Sequence, residues 1–413
     1  MKKWIIALVA FAGGVGVGLL KDTMCSSQNI YSQLALFSEA LKLVKDNYVK
    51  DVQDKDIIYG AIKGMTLALD PYSSFLTPDM FKELEVETTG EFGGLGIEIT
   101  IKDSYLTIVA PIEDTPAYRA GLKSGDRIIK INGEPTKDLS LMEAVKRLRG
   151  PKGTKVTLTI WREGVQKPFD VTIVRDIIKI KSVKDADLGE GYVYIKIKSF
   201  QEDTSGELKR AVEKYYRKSR INGLILDLRN NPGGLLSEAV RVSDIFLKGG
   251  LIVYTKGRIA SSNMEFKADE EGYLDFPMIV LVNRGSASAS EIVASSLKDN
   301  KRAVLMGEKT FGKGSVQTIY RLSDNSGLRL TTALYYTPSD YQIQDNGLVP
   351  DIIFESGKPH EKTDEEEEEI EEKMQRFDPA SDPMVRSALG YLKSWNIWGK
   401  ELFMERSRER SEK

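Results

Sequence analysis

Histidine and cysteine are almost missing: the 413 residues hold one of each, His360 and Cys25. A single cysteine excludes an internal disulfide and any cysteine-rich zinc site. With one histidine beside it, a catalytic zinc also lacks enough nitrogen and sulfur ligands. The shortage bears equally on serine chemistry, because a hydroxyl at its free pKa is a poor nucleophile and needs a positioned base, normally histidine. His360 opens an acidic tail, so a Ser-His-Asp triad is hard to build. Any serine nucleophile must take its base from another residue type, and a buried neutral lysine is the best substitute. An excess of basic charge is absent too. Lys and Arg total 59 against 61 Asp and Glu, a net charge of -2, which gives no support for nucleic-acid binding.

Of the residues present, 41% are apolar, an ordinary globular share. At roughly 150 residues per domain the length predicts two to three domains. Lys2 and Lys3 precede an uncharged, mostly apolar stretch from Trp4 to Leu20. At ~1.5 Å per residue it reaches about 25 Å, near the lower limit for crossing a bilayer. The two lysines favour the cytoplasmic side, so the remainder is expected across the inner membrane, on its extracytoplasmic (periplasmic) face. An uncleaved anchor fits better than a cleaved signal, since no small-x-small site precedes Cys25.

The chain divides by pattern into five parts. Residues 1–29 are the membrane anchor or signal. Residues 30–87 are helical, with Leu36, Leu41, Val44 and Tyr48 at three- and four-residue spacing until Leu69-Asp70-Pro71-Tyr72 breaks it. Residues 88–175 turn to short alternating strands and read as an inserted module. Residues 176–357 alternate strands with helices, which predicts an α/β sheet. Residues 358–413 hold a solvated acidic run, Glu365 to Glu369, and an amphipathic stretch with Leu389, Leu392, Trp395 and Trp398 that packs on the body or on another subunit.

The module opens on Gly93-Gly94-Leu95-Gly96-Ile97, a glycine-rich turn whose backbone N–H groups can cradle a carboxylate. Ala117 to Leu122, Gly125-Asp126-Arg127-Ile128-Ile129 and the Asn132-Gly133 hairpin signal follow. Ser140 and Glu143 then form a capping box before a helix bearing Leu141, Val145 and Leu148. The ordered set resembles a PDZ domain. That resemblance implies that a peptide's free C-terminus sits at Gly94, Leu95, Gly96 and Ile97, that its last residues add along the strand from Ile97, and that Val145 closes the other wall. Ile99 reads as the module's own core.

Phe276 to Val282 reads as a buried strand and Ile292 to Leu297 as a helix, with Ser286-Ala287-Ser288-Ala289-Ser290-Glu291 on the turn between. A serine there faces unpaired N–H groups and the positive end of the helix dipole, which favour a developing oxyanion. Ser288 is the candidate nucleophile and the Ala289 N–H a natural oxyanion donor; Ser286 and Ser290 read as helix caps. Lys313 stands between glycines in Phe311-Gly312-Lys313-Gly314. To act as a base it must lose ~3 pH units from its usual value, and burial beside Phe311 and Val316 is the expected cause. Gln317, read as sharing a strand face with Lys313, is placed to hold its amine. Asn230-Asn231-Pro232-Gly233-Gly234 is first a turn signal, and either Gly233 or Gly234 would let a second N–H reach a reacting carbonyl.

The series from Leu69-Asp70-Pro71 through the PDZ-like module, the Leu-Arg-Asn-Asn-Pro-Gly-Gly loop, Ser-Ala-Ser-Ala-Ser-Glu, Phe-Gly-Lys-Gly and Tyr336-Thr337-Pro338-Ser339 resembles the C-terminal processing peptidases, or tail-specific proteases. The resemblance runs from about Ile30 to Glu355. It implies a distantly crotonase-like α/β protease core with an inserted PDZ module and helical N- and C-terminal segments. It also implies a Ser288 nucleophile, a Lys313 base, a supporting Gln317, and oxyanion donors at Ala289 and a glycine of the loop. The expected activity is endopeptidase cleavage by acyl transfer, on protein or peptide substrates with free, apolar C-termini, without metal or cofactor. A homo-oligomer is left open. Two rivals are an inactive membrane-tethered PDZ scaffold and a crotonase-type hydratase or thioesterase; the peptide-binding insertion argues against the second.

Overall fold

Gly223–Asp227 and Met278–Val282 are continuous apolar strands, and because side chains alternate across a strand they need cover on both faces. The computed structural model describes residues 30–218, 220–269, 276–354 and 378–396. It begins with α1 (30–47), α2 (Asp54–Leu67), the short strand β1 (Ser74–Leu76) and α3 (Pro78–Thr89). The strand was not expected. It exists because the Asp70 carboxylate accepts the N–H groups of Tyr72 and Ser73 and the Ser73 hydroxyl, turning the chain sharply after the helix.

The inserted module follows β2 (Glu91–Gly94). Its strands are β3 (Ile97–Lys102) and β4 (Tyr105–Pro111), then after α4 (Pro116–Arg119) β5 (Arg127–Ile131) and β6 (Glu134–Pro135). Helix α5 (Leu141–Leu148), β7 (Lys155–Trp161) and β8 (Phe169–Val174) complete it. The exit strand β9 (Asp176–Lys179) pairs antiparallel with β2, so the module hangs from a two-stranded ribbon. Strand order β3-β4-β5-β7-β8 leaves β3 at one edge, beside α5. The expected capping box of α5 is present, with both Ser140–Glu143 bonds made. Its other end is closed by buried Arg175, whose guanidinium donates to the carbonyls of Arg147 and Leu148.

The body comprises β10 (Val183–Asp187), β11 (Tyr192–Ile197), α6 (Thr204–Tyr216), β12 (Gly223–Asp227) and α7 (Leu236–Asp244). It goes on through β13 (Leu251–Gly257), β14 (Glu265–Lys267), β15 (Met278–Val282), α8 (Ala289–Asp299) and β16 (Val304–Gly307). It ends with β17 (Ser315–Arg321), β18 (Gly327–Tyr336), β19 (Ile352–Ile353) and the C-terminal helix α9 (383–396). One sheet runs β10-β11-β12-β15-β16-β19, parallel except for β10. A second, antiparallel sheet joins β1, β13, β14, β17 and β18.

The two-sided apolar strands find their two layers. Leu224, Leu226, Met278, Val280 and Val282 face α6, α7 and α8, with Leu208, Val242 and Val293 among their neighbours. Ile225, Ile279 and Leu281 face the opposite way and are covered by Met384, Val385, Ala388 and Leu392 of α9. The C-terminal stretch, expected on the body or on another subunit, thus packs on the body. Each such side chain stabilises by about 1.5–3 kcal/mol when fully buried. Among the described residues no helix is long and apolar enough to cross a membrane, and the apolar segment within 1–29, like His360, Trp398 and the acidic run, lies outside them.

Candidate active site

Ser288 sits on the turn between β15 and α8 with φ 56° and ψ -115°, a left-handed conformation that costs a residue with a side chain about 1–3 kcal/mol and persists only where neighbours hold it. Glu291 is the main restraint. Its side chain is fully buried and its two oxygens accept four bonds: Thr310 hydroxyl 2.6 Å and Gly312 N–H 2.8 Å on one, Ser288 N–H and Lys313 N–H, both 2.9 Å, on the other. Burial pushes this carboxyl above its ordinary value, and the four donors oppose that push. One carboxylate therefore joins the main chains of the two residues singled out from the sequence. Glu291 ends the serine run, and residue types alone do not show this role. The signal was the spacing of Ser288 and Glu291, which is that of a capping box.

Lys313 is half-buried, and its amine lies 5.3 Å from the centre of the Tyr72 ring. Burial, and secondarily the positive charge of Arg329, hold its pKa below the usual lysine value. Its carbonyl accepts the hydroxyl of fully buried Tyr335. The flanking glycines permit the fit: a Cβ on Gly312, at φ 93°, would lie 2.8 Å from the Gly347 nitrogen. Two expectations need correction. Phe311 is 58% exposed and shields little, whereas the Tyr72 ring stands beside the amine. Lys313 also precedes β17, and a bulge between Val316 and Gln317 breaks the alternation on which a shared strand face was argued. Gln317 instead donates to Thr331 Oγ1 at 2.8 Å, while its Oε1 is enclosed with no partner among the described residues.

Ser286 and Ser290 do not cap the helix. Their hydroxyls donate to the Leu228 and Asn231 carbonyls at 2.8 and 2.9 Å, stitching the serine turn to the loop 228–234. Buried Asn231 completes the seam, its carbonyl also accepting the Ala287 N–H at 3.0 Å. Gly233 lies against the nucleophile turn, where an added Cβ would meet that of Ser288 at 2.7 Å. Its N–H donates to Asn231 Oδ1 at 2.9 Å. No acceptor meets the N–H of Ala289 or Gly234 among the described residues.

In the module, Gly94, Leu95, Gly96, Ile97 and Val145 line one cleft of about 90 Å³ with Phe92, Ile99, Leu148 and Arg149. Ile99, assigned to the core, faces this cleft as well. The Arg149 guanidinium stacks on Phe92 and pairs with Glu83 of α3 at 2.7 Å.

Three family models match the chain: peptidase family S41 over residues 191–354, a PDZ domain over 107–162, and the activating protease CtpB N-terminal domain over 18–79. The chain is 48% identical over 344 residues to a carboxy-terminal-processing protease of Bartonella bacilliformis, spanning 82% of this chain and 78% of that protein. It is 40% identical over 321 residues to a carboxyl-terminal-processing protease of Synechocystis sp., spanning 76% and 75% respectively. A solved structure of a Bacteroides fragilis protein assigned to the S41 proteases matches with a TM-score of 0.51 at 17% identity, over 84% of this chain and 91% of that one, which shows the shared fold alone. These findings favour a working protease over an inactive scaffold: the chain belongs to the carboxy-terminal-processing proteases of peptidase family S41, serine endopeptidases that carry a PDZ domain.

Proposed function

We propose that Ser288 is the nucleophile, Lys313 its general base, Gln317 the residue that orients the amine, and the N–H groups of Ala289 and Gly234 the oxyanion donors. The observation that carries this reading is the Glu291 carboxylate, at 2.9 Å from the N–H of both Ser288 and Lys313. Neutral Lys313 takes the Ser288 proton as Oγ attacks the scissile carbonyl, and the carbonyl oxygen becomes an oxyanion held by the two N–H groups. The lysine then protonates the leaving amine, the C–N bond breaks, and an acyl-serine remains. Water attacks this ester with Lys313 again as base, releasing a carboxylate and restoring the serine. Gly234 is chosen over Gly233 because the Gly233 N–H is already bonded to Asn231. The enclosed, unpartnered Oε1 of Gln317 supports its role as acceptor for the amine.

The module is assigned to residues 88–175, a limit supported by the β2–β9 ribbon. Its cleft lies against β3, an edge strand, which suits addition of a peptide strand with its carboxylate at Gly94–Ile97. We further assign the apolar segment from Trp4 to Leu20 as an inner-membrane anchor with the protease body on the extracytoplasmic side. Helix α1 is exposed around almost its whole circumference, yet Ile30, Leu34, Phe37, Leu41, Val44 and Tyr48 recur at the alternating four- and three-residue spacing of a helix-pairing seam. Most helical stability in proteins comes from packing an apolar face, so a second copy's α1 is the proposed partner.

Ser288→Ala and Lys313→Met should each lower peptidase turnover at least about a thousandfold while leaving the fold intact. Lys313→Met should also be the more stable protein at neutral pH. The amine's pKa is lowered in the folded state, so the unfolded state binds more protons between that lowered value and the ordinary one, and stability otherwise rises as pH climbs through this window. Glu291→Gln, which sets an amide against four donors, should cost roughly ten- to a hundredfold in kcat. Full activity in any of the three, measured on purified protein, contradicts the assignment.

Peptides with a free apolar C-terminus should bind the full chain carrying Ser288→Ala, and the same peptides amidated should bind at least about tenfold more weakly by titration calorimetry. Equal affinities would remove carboxylate recognition. On cell fractionation the full chain should sediment with membranes and be digested by protease added to spheroplasts, and a 30–413 variant should lose the membrane association; sedimentation of both together refutes the anchor. Wild-type 30–413 should sediment as a dimer or larger and Leu34→Lys with Val44→Lys as a monomer, and a monomeric wild type refutes the seam.

A further inference from the structure

The C-terminal helix reaches into the site through one carboxylate. Asp382 Oδ1 accepts the N–H groups of Met384 at 2.8 Å and Val385 at 3.1 Å, capping α9. The same carboxylate meets the guanidinium of Arg229, with Oδ2 3.0 Å from Nη2 and Oδ1 3.3 Å from Nη1. Arg229 is largely enclosed, its side chain 14% exposed, and its Nε and Nη2 also bind the fully buried Asp227, to which the Tyr194 hydroxyl donates at 2.7 Å. Lys196 stands 4.0 Å from Asp227, so two carboxylates face two cations. Burial works against the charge on Arg229, and the two aspartates outweigh it.

Arg229 stands near the start of the loop that carries the glycines, two residues after β12. Next to it Asn230 is held at φ 57°, Asn231 makes the bonds that stitch the loop to the serine turn, and Gly233 presses on Ser288. Fixing the guanidinium from both sides fixes where this strained turn leaves β12. Asp227 lies on the same strand and supplies one side. Among the described residues the other side comes from Asp382, at the start of the helix that follows the acidic linker.

We propose that Asp382 is a positioning residue: through Arg229 it sets the 229–234 loop so that its glycine N–H meets the oxyanion, which makes α9 part of the catalytic apparatus. The proposal rests on the reading that this loop supplies an oxyanion donor. Asparagine caps a helix as well as aspartate does but carries no charge, so Asp382→Asn separates the ion pair from the cap.

The test uses the full chain and measures kcat and KM on one peptide, affinity for a peptide boronic acid that forms a tetrahedral adduct on the nucleophile, and thermal unfolding. Asp382→Asn should lower kcat roughly five- to thirtyfold, the range for losing one coupling in a bonded network, with KM changed less than about twofold. The boronic acid should weaken by the same factor, binding of uncleaved peptide to Ser288→Ala with Asp382→Asn should equal that to Ser288→Ala alone, and Asp382→Glu should recover part of the loss. Wild-type kcat and adduct affinity in Asp382→Asn would overturn the proposal, as would a loss that follows a fall in melting temperature and touches kcat and KM alike. Activity surviving in Ser288→Ala would instead overturn the reading of the site, whatever Asp382→Asn does.

Discussion

A lysine can accept a serine proton near neutrality only when its ammonium form is made unfavourable, and the chemistry proposed for Ser288 and Lys313 depends on that condition. Two effects lower the Lys313 pKa: burial, which strips water from the charge, and the like charge of Arg329. Both require the amine to be held in one place. The Gly-Lys-Gly stretch has no regular secondary structure to hold it, so its main chain is clamped by Glu291 on the N–H side and Tyr335 on the carbonyl side.

The same clamp explains why a strained serine is stable. Ser288 occupies a left-handed conformation at a helix entrance, and Glu291 takes its N–H while Asn231 takes that of Ala287. Strain of this kind survives when several neighbours each fix one group. The serine turn, the lysine loop and the glycine loop are therefore one bonded unit rather than three converging segments. The five-residue strands β12 and β15, buried on both faces, are its platform.

Much of this was legible in the sequence because the signals were local. The apolar run Phe276–Val282 marked a buried strand, the Ser140–Glu143 spacing a cap, and the shortage of histidine pointed to Lys313 as the base. What escaped were contacts between segments far apart in the chain. Ser286 and Ser290 look like caps by composition, yet bond to carbonyls 58 and 59 residues away. Phe311 looks like a shield for its neighbour and faces solvent instead. The strand-face argument for Gln317 failed because a bulge changes the phase of side-chain alternation without altering composition. The partner of Arg229 was the least legible, since it lies 153 residues on.

The PDZ module and the protease body share a short ribbon and two ion pairs to α3, the exposed Lys146–Asp79 and the partly exposed Arg149–Glu83. Exposed pairs of this kind contribute at most about 1 kcal/mol each, so the module is held loosely compared with the cores on either side. The proposed chemistry depends on the amine. The direct measurement is the pH dependence of Ser288 acylation by a small activated ester, followed as the burst of released alcohol, in the wild type and in His360→Ala. The account predicts one ionisation with a half-point well below the usual lysine value, unchanged by the histidine substitution. A rate that is flat with pH, or that climbs only above ~10, would contradict it.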